Sequence, residues 1–85
     1  MTAAPSFRRV LLLGATGSIG RATARALVSN GHEVVALVRP GADAGGLDGA
    51  ILRRGEATDA ASLARDGFAG EAFDAVVSCL ASRNG

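Results

Sequence analysis

The residues best suited to chemistry are three evenly spaced glycines, Gly14, Gly17 and Gly20, which follow the apolar run Val10–Leu13. After a buried strand, such glycines allow a tight turn, a close approach of the backbone to a phosphate, and close packing of the next helix. The unpaired amides and the dipole at the start of that helix favour an anion. The pattern therefore predicts a site for the pyrophosphate of a dinucleotide between the first strand and the first helix.

Polar groups in the same loop extend this predicted site. Thr16 and Ser18 carry hydroxyls that can hydrogen-bond to phosphate oxygens, and the amides of Ser18 and Ile19 lie in the first helical turn. A tight turn between strand and helix that binds no ligand is the alternative interpretation, and the glycine spacing alone leaves it open.

Arg39 ends the second predicted strand and bears on which dinucleotide is bound. An acidic residue here would accept hydrogen bonds from the adenosine ribose and favour NAD, whereas an arginine offers a charge-assisted fork to the 2′-phosphate of NADP. The alternative for Arg39 is a solvated charge at the strand end. Arg21 either approaches the same phosphate or is a surface arginine. NADPH is the predicted cofactor.

The elements that must position these residues alternate between strand and helix. The predicted order is a strand over 10–13, a helix over 18–30, a strand over 33–38, a loop over 41–49, a strand over 50–53, a helix over 59–66 and a strand over 73–80. Such alternation specifies a parallel sheet with right-handed crossovers. The fold class is α/β, a Rossmann-type sheet with flanking helices, and residues 1–85 form one incomplete half of a doubly wound domain.

Packing expectations follow from the same pattern. The first helix is expected to face the sheet through its apolar residues, Ile19, Thr23, Ala26 and Leu27. The second helix is expected to begin at the capping residue Asp59 and to pack through Ala60, Leu63 and Ala64. With only two helices, one face of the sheet could stay uncovered, and the edge beside the fourth strand is expected to be unpaired.

Composition excludes several classes of function. The net charge of +1 gives no electrostatic footprint for nucleic acid. The single cysteine, Cys79, permits no disulfide within the chain, and its apolar neighbours predict a buried thiol. No stretch is long and apolar enough to span a membrane, and no signal peptide is recognised, so a cytoplasmic location is expected.

The chain has no tyrosine and no lysine. A catalytic tyrosine–lysine pair is therefore excluded, and catalytic groups are expected beyond Gly85.

Three stretches resemble known families. The Gly14–Gly20 pattern resembles the atypical short-chain dehydrogenase/reductase superfamily, including its NmrA-like branch. The run Gly31–Pro40 is similar to the second strand and basic end of NADPH-dependent members. The run Phe73–Arg83 resembles the fourth strand of the divinyl chlorophyllide 8-vinyl-reductases, and contains their Ser-Cys-Leu-Ala-Ser-Arg signature at 78–83.

The resemblance implies a parent enzyme that reduces the 8-vinyl group of a divinyl chlorophyllide, a small-molecule substrate, with NADPH. It assigns to the cofactor Gly14, Thr16, Gly17, Ser18, Ile19, Gly20, Arg39, Glu56, Ala57, Cys79, Leu80 and Ala81. Glu56 departs from the superfamily, which has aspartate beside the adenine. The remainder of a parent chain is expected to complete the fold, and the 85 residues alone are expected to be marginally stable and to bind cofactor weakly.

Two other functions stay open at this point. One is another enzyme of the superfamily, such as a sugar-nucleotide epimerase or a reductase of a different substrate. The other is a non-catalytic redox sensor of the NmrA type, which would bind oxidised and reduced dinucleotide without turnover.

Overall fold

The computed structural model describes residues 8–80, which form a four-stranded parallel sheet with helices on both faces. The strands are β1 (Arg9–Leu13), β2 (Glu33–Val38), β3 (Ile51–Arg54) and β4 (Ala75–Ser78). The helices are α1 (Ser18–Ser29) and α2 (Ala60–Ser62), and α2 continues directly into a π-helical segment, Leu63–Phe68. The strand order is β3-β2-β1-β4. The predicted Rossmann-type parallel sheet is confirmed, with strand bounds that differ mainly at β3 and β4.

The two central strands explain why the sequence contains uninterrupted apolar runs. In the register of the sheet, Leu11 of β1 lies between Val35 of β2 and Val76 of β4. Because both β1 and β2 are covered on both faces, nearly every residue in them is apolar and buried. The edge strands differ: Ile51 and Val76 are each nearly half exposed. Within residues 8–80, β4 pairs with β1 alone, as expected.

Alternate residues of the strands build two separate core layers. Leu12, Ala36 and Val38 face α1, and the helix residue Ala24 completes that layer. Leu11, Leu13, Val35 and Leu37 face the other way, where Leu63 and Phe68 of the π-helical segment pack against them. Phe68 also meets Phe73 edge to face, with ring centroids 5.8 Å apart. The central strands are therefore covered on both faces, and the idea that one whole face is uncovered is wrong.

The face of α1 that packs on the sheet differs from the predicted one. Ile19 is 74% exposed and Ala26 is also exposed, whereas Gly20 and Ala24 are buried. Leu27 and Val28 are partly buried against the same core layer. The reason is that α1 approaches the sheet through Gly20, and residues four, seven and eight positions later share that face. Ile19 is one position off this stripe and points away from the core.

The second helix begins as predicted, and of its three predicted packing residues Leu63 alone packs against the core. The Asp59 carboxylate accepts hydrogen bonds from the amides of Ala61 and Ser62, which confirms it as the N-cap. Ala60 and Ala64 are exposed, contrary to expectation. The buried positions are Ser62 and Gly67, flanked by the partly buried Leu63 and Phe68. A π-helical turn shifts the buried side because each turn holds more residues than an α-helical turn, and the Ala69 amide bonds to the Ala64 carbonyl.

The connection from β2 to β3 is a loop, as predicted, yet it contributes to the core. Its residue Leu47 is only 4% exposed and packs in the layer that faces α1. Ala44 and Ala50 pack beside it. The loop therefore covers part of the sheet face on which α1 also packs. No helix in the range 8–80 is long and apolar enough to cross a membrane.

An ionic network centred on Glu71 links the start of β1 to Arg53 of β3. Glu71 accepts hydrogen bonds from Arg9 at 2.6 Å and from Arg53 at 2.8 Å. Arg9 also lies over the ring of Phe73, 4.5 Å from its centroid. The Asp74 carboxylate accepts a hydrogen bond from the Arg9 amide. The guanidiniums of Arg53 and Arg9 hold the pKa of Glu71 below its usual value.

We expect Glu71→Gln to lower the free energy of unfolding at pH 7, because it removes the charge that Arg53 and Arg9 bind. A lowered carboxyl pKa stabilises the fold above the usual glutamate pKa of about 4.3, and this contribution is lost as pH falls through the folded-state value. The difference in the free energy of unfolding between wild type and variant, measured by urea titration, should therefore become smaller between pH 7 and about pH 3. Asp48→Asn, in the exposed loop, is the control. If this difference in the free energy of unfolding does not change with pH, the ion pairs of Glu71 do not stabilise the fold as proposed.

Residues Gly14–Gly20, called the glycine loop from here on, provide a second test of stability. A Cβ on Gly20 would collide with the Gly14 carbonyl oxygen and lie 2.7 Å from the Ala15 Cα, whereas a Cβ on Gly17 would meet nothing within 4 Å. Gly20→Ala should cost about 3 kcal/mol or abolish folding, since backbone would have to move. Gly17→Ala should cost about 1 kcal/mol or less, the usual loss when the residue at a helix N-cap becomes alanine. Urea unfolding followed by circular dichroism measures both, and equal losses would refute this packing.

Candidate functional site

A cleft of about 420 Å³ lies at the carboxyl ends of the four strands. Its lining comprises Gly14, Ala15, Thr16, Gly17, Leu37, Val38, Arg39, Gly55, Glu56, Ala57, Thr58, Cys79 and Leu80. From β1 the chain crosses to β2 on one side, and later returns from β3 to β4 on the other. Ligands of open parallel sheets bind at this kind of switch point, outside the carboxyl ends of the strands.

The glycine loop forms the floor of the cleft. Gly14 has a φ of +73°, and a Cβ there would lie 2.8 Å from the carbonyl carbon of Cys79. The chain can therefore turn sharply out of β1 while the end of β4 stays in contact. Gly17 is the N-cap of α1, with no side-chain hydrogen bond at the cap and no acidic residue in the first turn. The amides of that turn are left without intrahelical acceptors, and the space beside Gly17 is open to an anion.

The second wall is the end of β2, where Arg39 lies exposed at the rim of the cleft. The last two residues of the strand, Leu37 and Val38, form the apolar part of this wall. Among the lining residues only Glu56 is acidic, and it belongs to the segment that follows β3. Arg39 therefore gives the β2 side of the cleft a positive charge, as predicted.

Arg21, predicted either to approach the phosphate or to be a surface arginine, hydrogen-bonds to a neighbouring loop. Its guanidinium donates hydrogen bonds to the carbonyls of Asp43 and Gly45, each at 2.8 Å, in the loop that follows Arg39. The interpretation as a surface arginine is therefore incomplete, because these hydrogen bonds anchor the guanidinium. Arg21 does not line the cleft, so a direct contact with a phosphate stays a prediction.

The third wall is the segment Gly55–Thr58, which a buried hydrogen-bond chain holds in place. The Gly55 amide donates to the Val38 carbonyl at 2.9 Å. The Glu56 amide donates to the Ser62 hydroxyl at 2.8 Å, and that hydroxyl donates to the Asp66 carboxylate at 2.8 Å. Hydrogen bonds from Arg65 and then from Ser62 lower the pKa of Asp66, so it stays ionised and able to accept. This chain explains why the polar residue Ser62 is buried.

The end of β4 closes the cleft beside the glycine loop. The Cys79 amide donates to the Leu13 carbonyl at 2.8 Å, and the Cys79 sulfur lies 3.7 Å from the Thr23 hydroxyl. The thiol is only partly buried, so the prediction of a buried structural cysteine is wrong in degree. It packs against the core on one side and lines the cleft on the other. Leu80 is 45% exposed at the same rim.

Eight of the twelve predicted site residues line this one cleft: Gly14, Thr16, Gly17, Arg39, Glu56, Ala57, Cys79 and Leu80. Three others, Ser18, Ile19 and Gly20, lie in the first turn of α1 and do not line the cleft. Gly20 is buried against the loop backbone, whereas Ser18 and Ile19 are exposed. Ala81 lies outside the described residues.

Sequence reasoning missed five lining residues: Ala15, Leu37, Val38, Gly55 and Thr58. A usable signal existed for two of them, because the last residues of a parallel strand border the ligand crevice and Leu37 and Val38 end β2. The position of Gly55 depends on tight packing: a Cβ there would lie 2.8 Å from the Asp66 Cβ and 3.0 Å from a Leu37 methyl.

Comparisons with known proteins agree with this geometry. A family model described as NAD(P)H-binding matches residues 14–85. A curated relative, the chloroplastic divinyl chlorophyllide a 8-vinyl-reductase of Oryza sativa subsp. indica, is 40% identical over 92 residues, covering 96% of this chain and 23% of that protein. The chain thus spans about a quarter of the length of this relative.

Solved structures share the fold. A provisionally assigned epimerase from Burkholderia cenocepacia J2315 superposes with a TM-score of 0.73 at 30% identity, covering 96% of this chain and 27% of that one. AtPrR2, solved with NADP⁺ and (+)pinoresinol, superposes with a TM-score of 0.69 at 34% identity, covering 91% and 27%. With the glycine loop and the cleft it forms, these matches show that the chain belongs to the NAD(P)H-binding family, of the NmrA-like, short-chain dehydrogenase/reductase type.

Proposed function

We propose that the cleft binds NADPH, with the pyrophosphate at the glycine loop and the 2′-phosphate at Arg39. One observation carries this proposal: Gly17 and Arg39 line the same cleft. The helix α1 starts at Gly17 without a side-chain cap, and within residues 8–80 the Arg39 guanidinium forms no ion pair with a carboxylate. The ion pairs found among residues 8–80 involve Arg9, Arg53 and Arg65, so no carboxylate neutralises Arg39 there. AtPrR2, which shares the fold, was solved with NADP⁺.

The walls formed by the segment after β3 and by the end of β4 offer contacts to the adenine and to the rest of the dinucleotide. Glu56 and Ala57 border the cleft where the resemblance assigns the adenine, and Leu37 adds apolar surface beside them. Cys79 and Leu80, together with Ala81, would then lie along the rest of the cofactor. Ser18, Ile19 and Gly20 would contribute backbone amides of the first helical turn. The open space beside Gly17, which has no side chain to fill it, fits a pyrophosphate that must approach the backbone.

We further propose that the natural gene product containing this chain reduces the 8-vinyl group of a divinyl chlorophyllide. NADPH, when bound, supplies a hydride that with one proton converts the vinyl group to ethyl. The support is the rice relative at 40% identity together with the Ser-Cys-Leu-Ala-Ser-Arg run at 78–83. The substrate pocket and the catalytic groups are assigned to no residue of this chain. The cytoplasmic location stays a prediction, since the rice relative is chloroplastic by name.

The cofactor proposal predicts that the chain binds NADPH more tightly than NADH, and that Arg39→Met removes the difference. A charge-assisted contact to the 2′-phosphate contributes about 1.5–3 kcal/mol, so the variant should lose about 10- to 100-fold in NADPH affinity. NADH affinity should stay within about twofold. Isothermal titration calorimetry measures all four constants. Arg25→Met, which removes an exposed guanidinium from α1, is the matched control.

Two results would contradict the cofactor proposal. Equal affinity of the wild-type chain for NADPH and NADH would remove the role of Arg39. A preference for NADPH that survives Arg39→Met would assign the 2′-phosphate to another residue.

The substrate proposal predicts that the natural gene product, given divinyl chlorophyllide and NADPH, shifts the Soret band of the pigment to the blue. NADH in place of NADPH should give no shift, because the 2′-phosphate contact is missing. Pinoresinol is the comparison substrate, since AtPrR2 was solved with it. Tight NADPH binding without a Soret shift would overturn the vinyl-reductase assignment and leave the cofactor site standing.

A further inference from the structure

Two arginines from different elements hold the backbone of the loop that follows Arg39. Arg54, at the end of β3, donates from one nitrogen to the Ala42 carbonyl at 2.6 Å and to the Arg39 carbonyl at 3.1 Å. Arg21, in the first turn of α1, donates to the carbonyls of Asp43 and Gly45. Four carbonyls within seven residues therefore point at one or the other guanidinium. We call residues 39–45 the rim loop.

The two guanidiniums are placed to order this loop and not to bind a ligand directly. Neither Arg21 nor Arg54 lines the cleft, whereas Arg39 does. Each contacts the rim loop through backbone carbonyls. Among residues 8–80 neither forms an ion pair with a carboxylate. The two guanidiniums therefore donate their hydrogen bonds to the loop carbonyls, and such charge-assisted hydrogen bonds are stronger than neutral ones.

Apart from Ala44, which packs against the core layer that faces α1, the rim loop has few other contacts to hold it. Gly41 has a φ of +83°, and residues 39–41, 43 and 45 are exposed. The loop makes two bonds of its own, from the Ala42 amide to the Arg39 carbonyl and from the Gly45 amide to the Asp43 carboxylate. Exposed loops with few contacts sample many conformations. A loop that did so would present Arg39 at the cleft for only part of the time.

We infer that Arg54 and Arg21 are positioning residues that set the preference for NADPH by holding the rim loop so that Arg39 faces the cleft. The inference rests on the proposed role of Arg39 at the 2′-phosphate. It places part of the specificity on β3, in a side chain that does not touch the cofactor. The apparent dissociation constant for a 2′-phosphorylated ligand rises in inverse proportion to the fraction of molecules whose loop is correctly placed.

The test compares two fragments of the cofactor, adenosine 2′,5′-bisphosphate and 5′-AMP, by calorimetry on the 85-residue chain. The ratio of their dissociation constants isolates the contribution of the 2′-phosphate. If Arg54→Met lowers the fraction of correctly placed loops to about a tenth, the bisphosphate should bind about 10-fold more weakly, with 5′-AMP within about twofold. Arg54→Lys, which keeps one charged donor, should recover part of the loss. Arg25→Met is the control and should change neither ligand.

Each remaining outcome decides between explanations. Equal weakening of both ligands by Arg54→Met would mean a general structural role and would overturn the inference. An unchanged ratio in Arg54→Met, where Arg39→Met abolishes the preference, would overturn the inference and leave the proposed function intact. An unchanged ratio in Arg39→Met would overturn the proposed function, and the inference with it. Circular dichroism checks that each variant folds, and Arg54→Gln replaces Arg54→Met if that variant does not.

Discussion

The structure depends on one close approach of backbone segments at the carboxyl end of β1. Gly14 turns the chain out of the strand against the end of β4, and Gly20 sets α1 directly on the Gly14–Ala15 backbone. No other residue type permits both contacts, because a Cβ at either glycine would collide with main-chain atoms. This approach fixes the position of α1 over the sheet, and it leaves the first turn of the helix directed at the cleft. Packing and binding geometry thus have the same origin.

The walls of the cleft are held by polar contacts that lie behind them. Ser62 and Asp66 secure the Glu56 amide on one side, and Arg54 and Arg21 secure the rim loop on the other. These contacts use backbone groups, so they constrain the path of the chain without consuming the side chains that face the cleft. The arrangement suits a site that must bind an extended, charged ligand along several separate segments.

Much of the fold could be predicted because the central strands and the glycine loop follow strong local rules. The continuous apolar runs of β1 and β2 indicate strands buried on both faces, and the glycine spacing indicates the turn into α1. The helix faces were less predictable, since apolar periodicity favours Ile19 as a core residue, whereas the actual contact is made by Gly20, which has no side chain. Ser62 shows the same limit: a hydrogen-bonded polar residue can be buried without any apolar signal. The anchoring of the rim loop by Arg54 depends on tertiary contacts that no local pattern encodes.

The central claim is that a reduced dinucleotide binds at the carboxyl ends of the strands. The most direct measurement is a titration of the isotope-labelled chain with NADPH, followed by amide chemical shifts in NMR spectra. We expect the largest shifts at Gly14, Thr16, Gly17 and Arg39, and no shifts at Arg9, Glu33 and Asp74 at the opposite end of the sheet. Shifts concentrated at that opposite end, or no shifts at saturating NADPH, would contradict it.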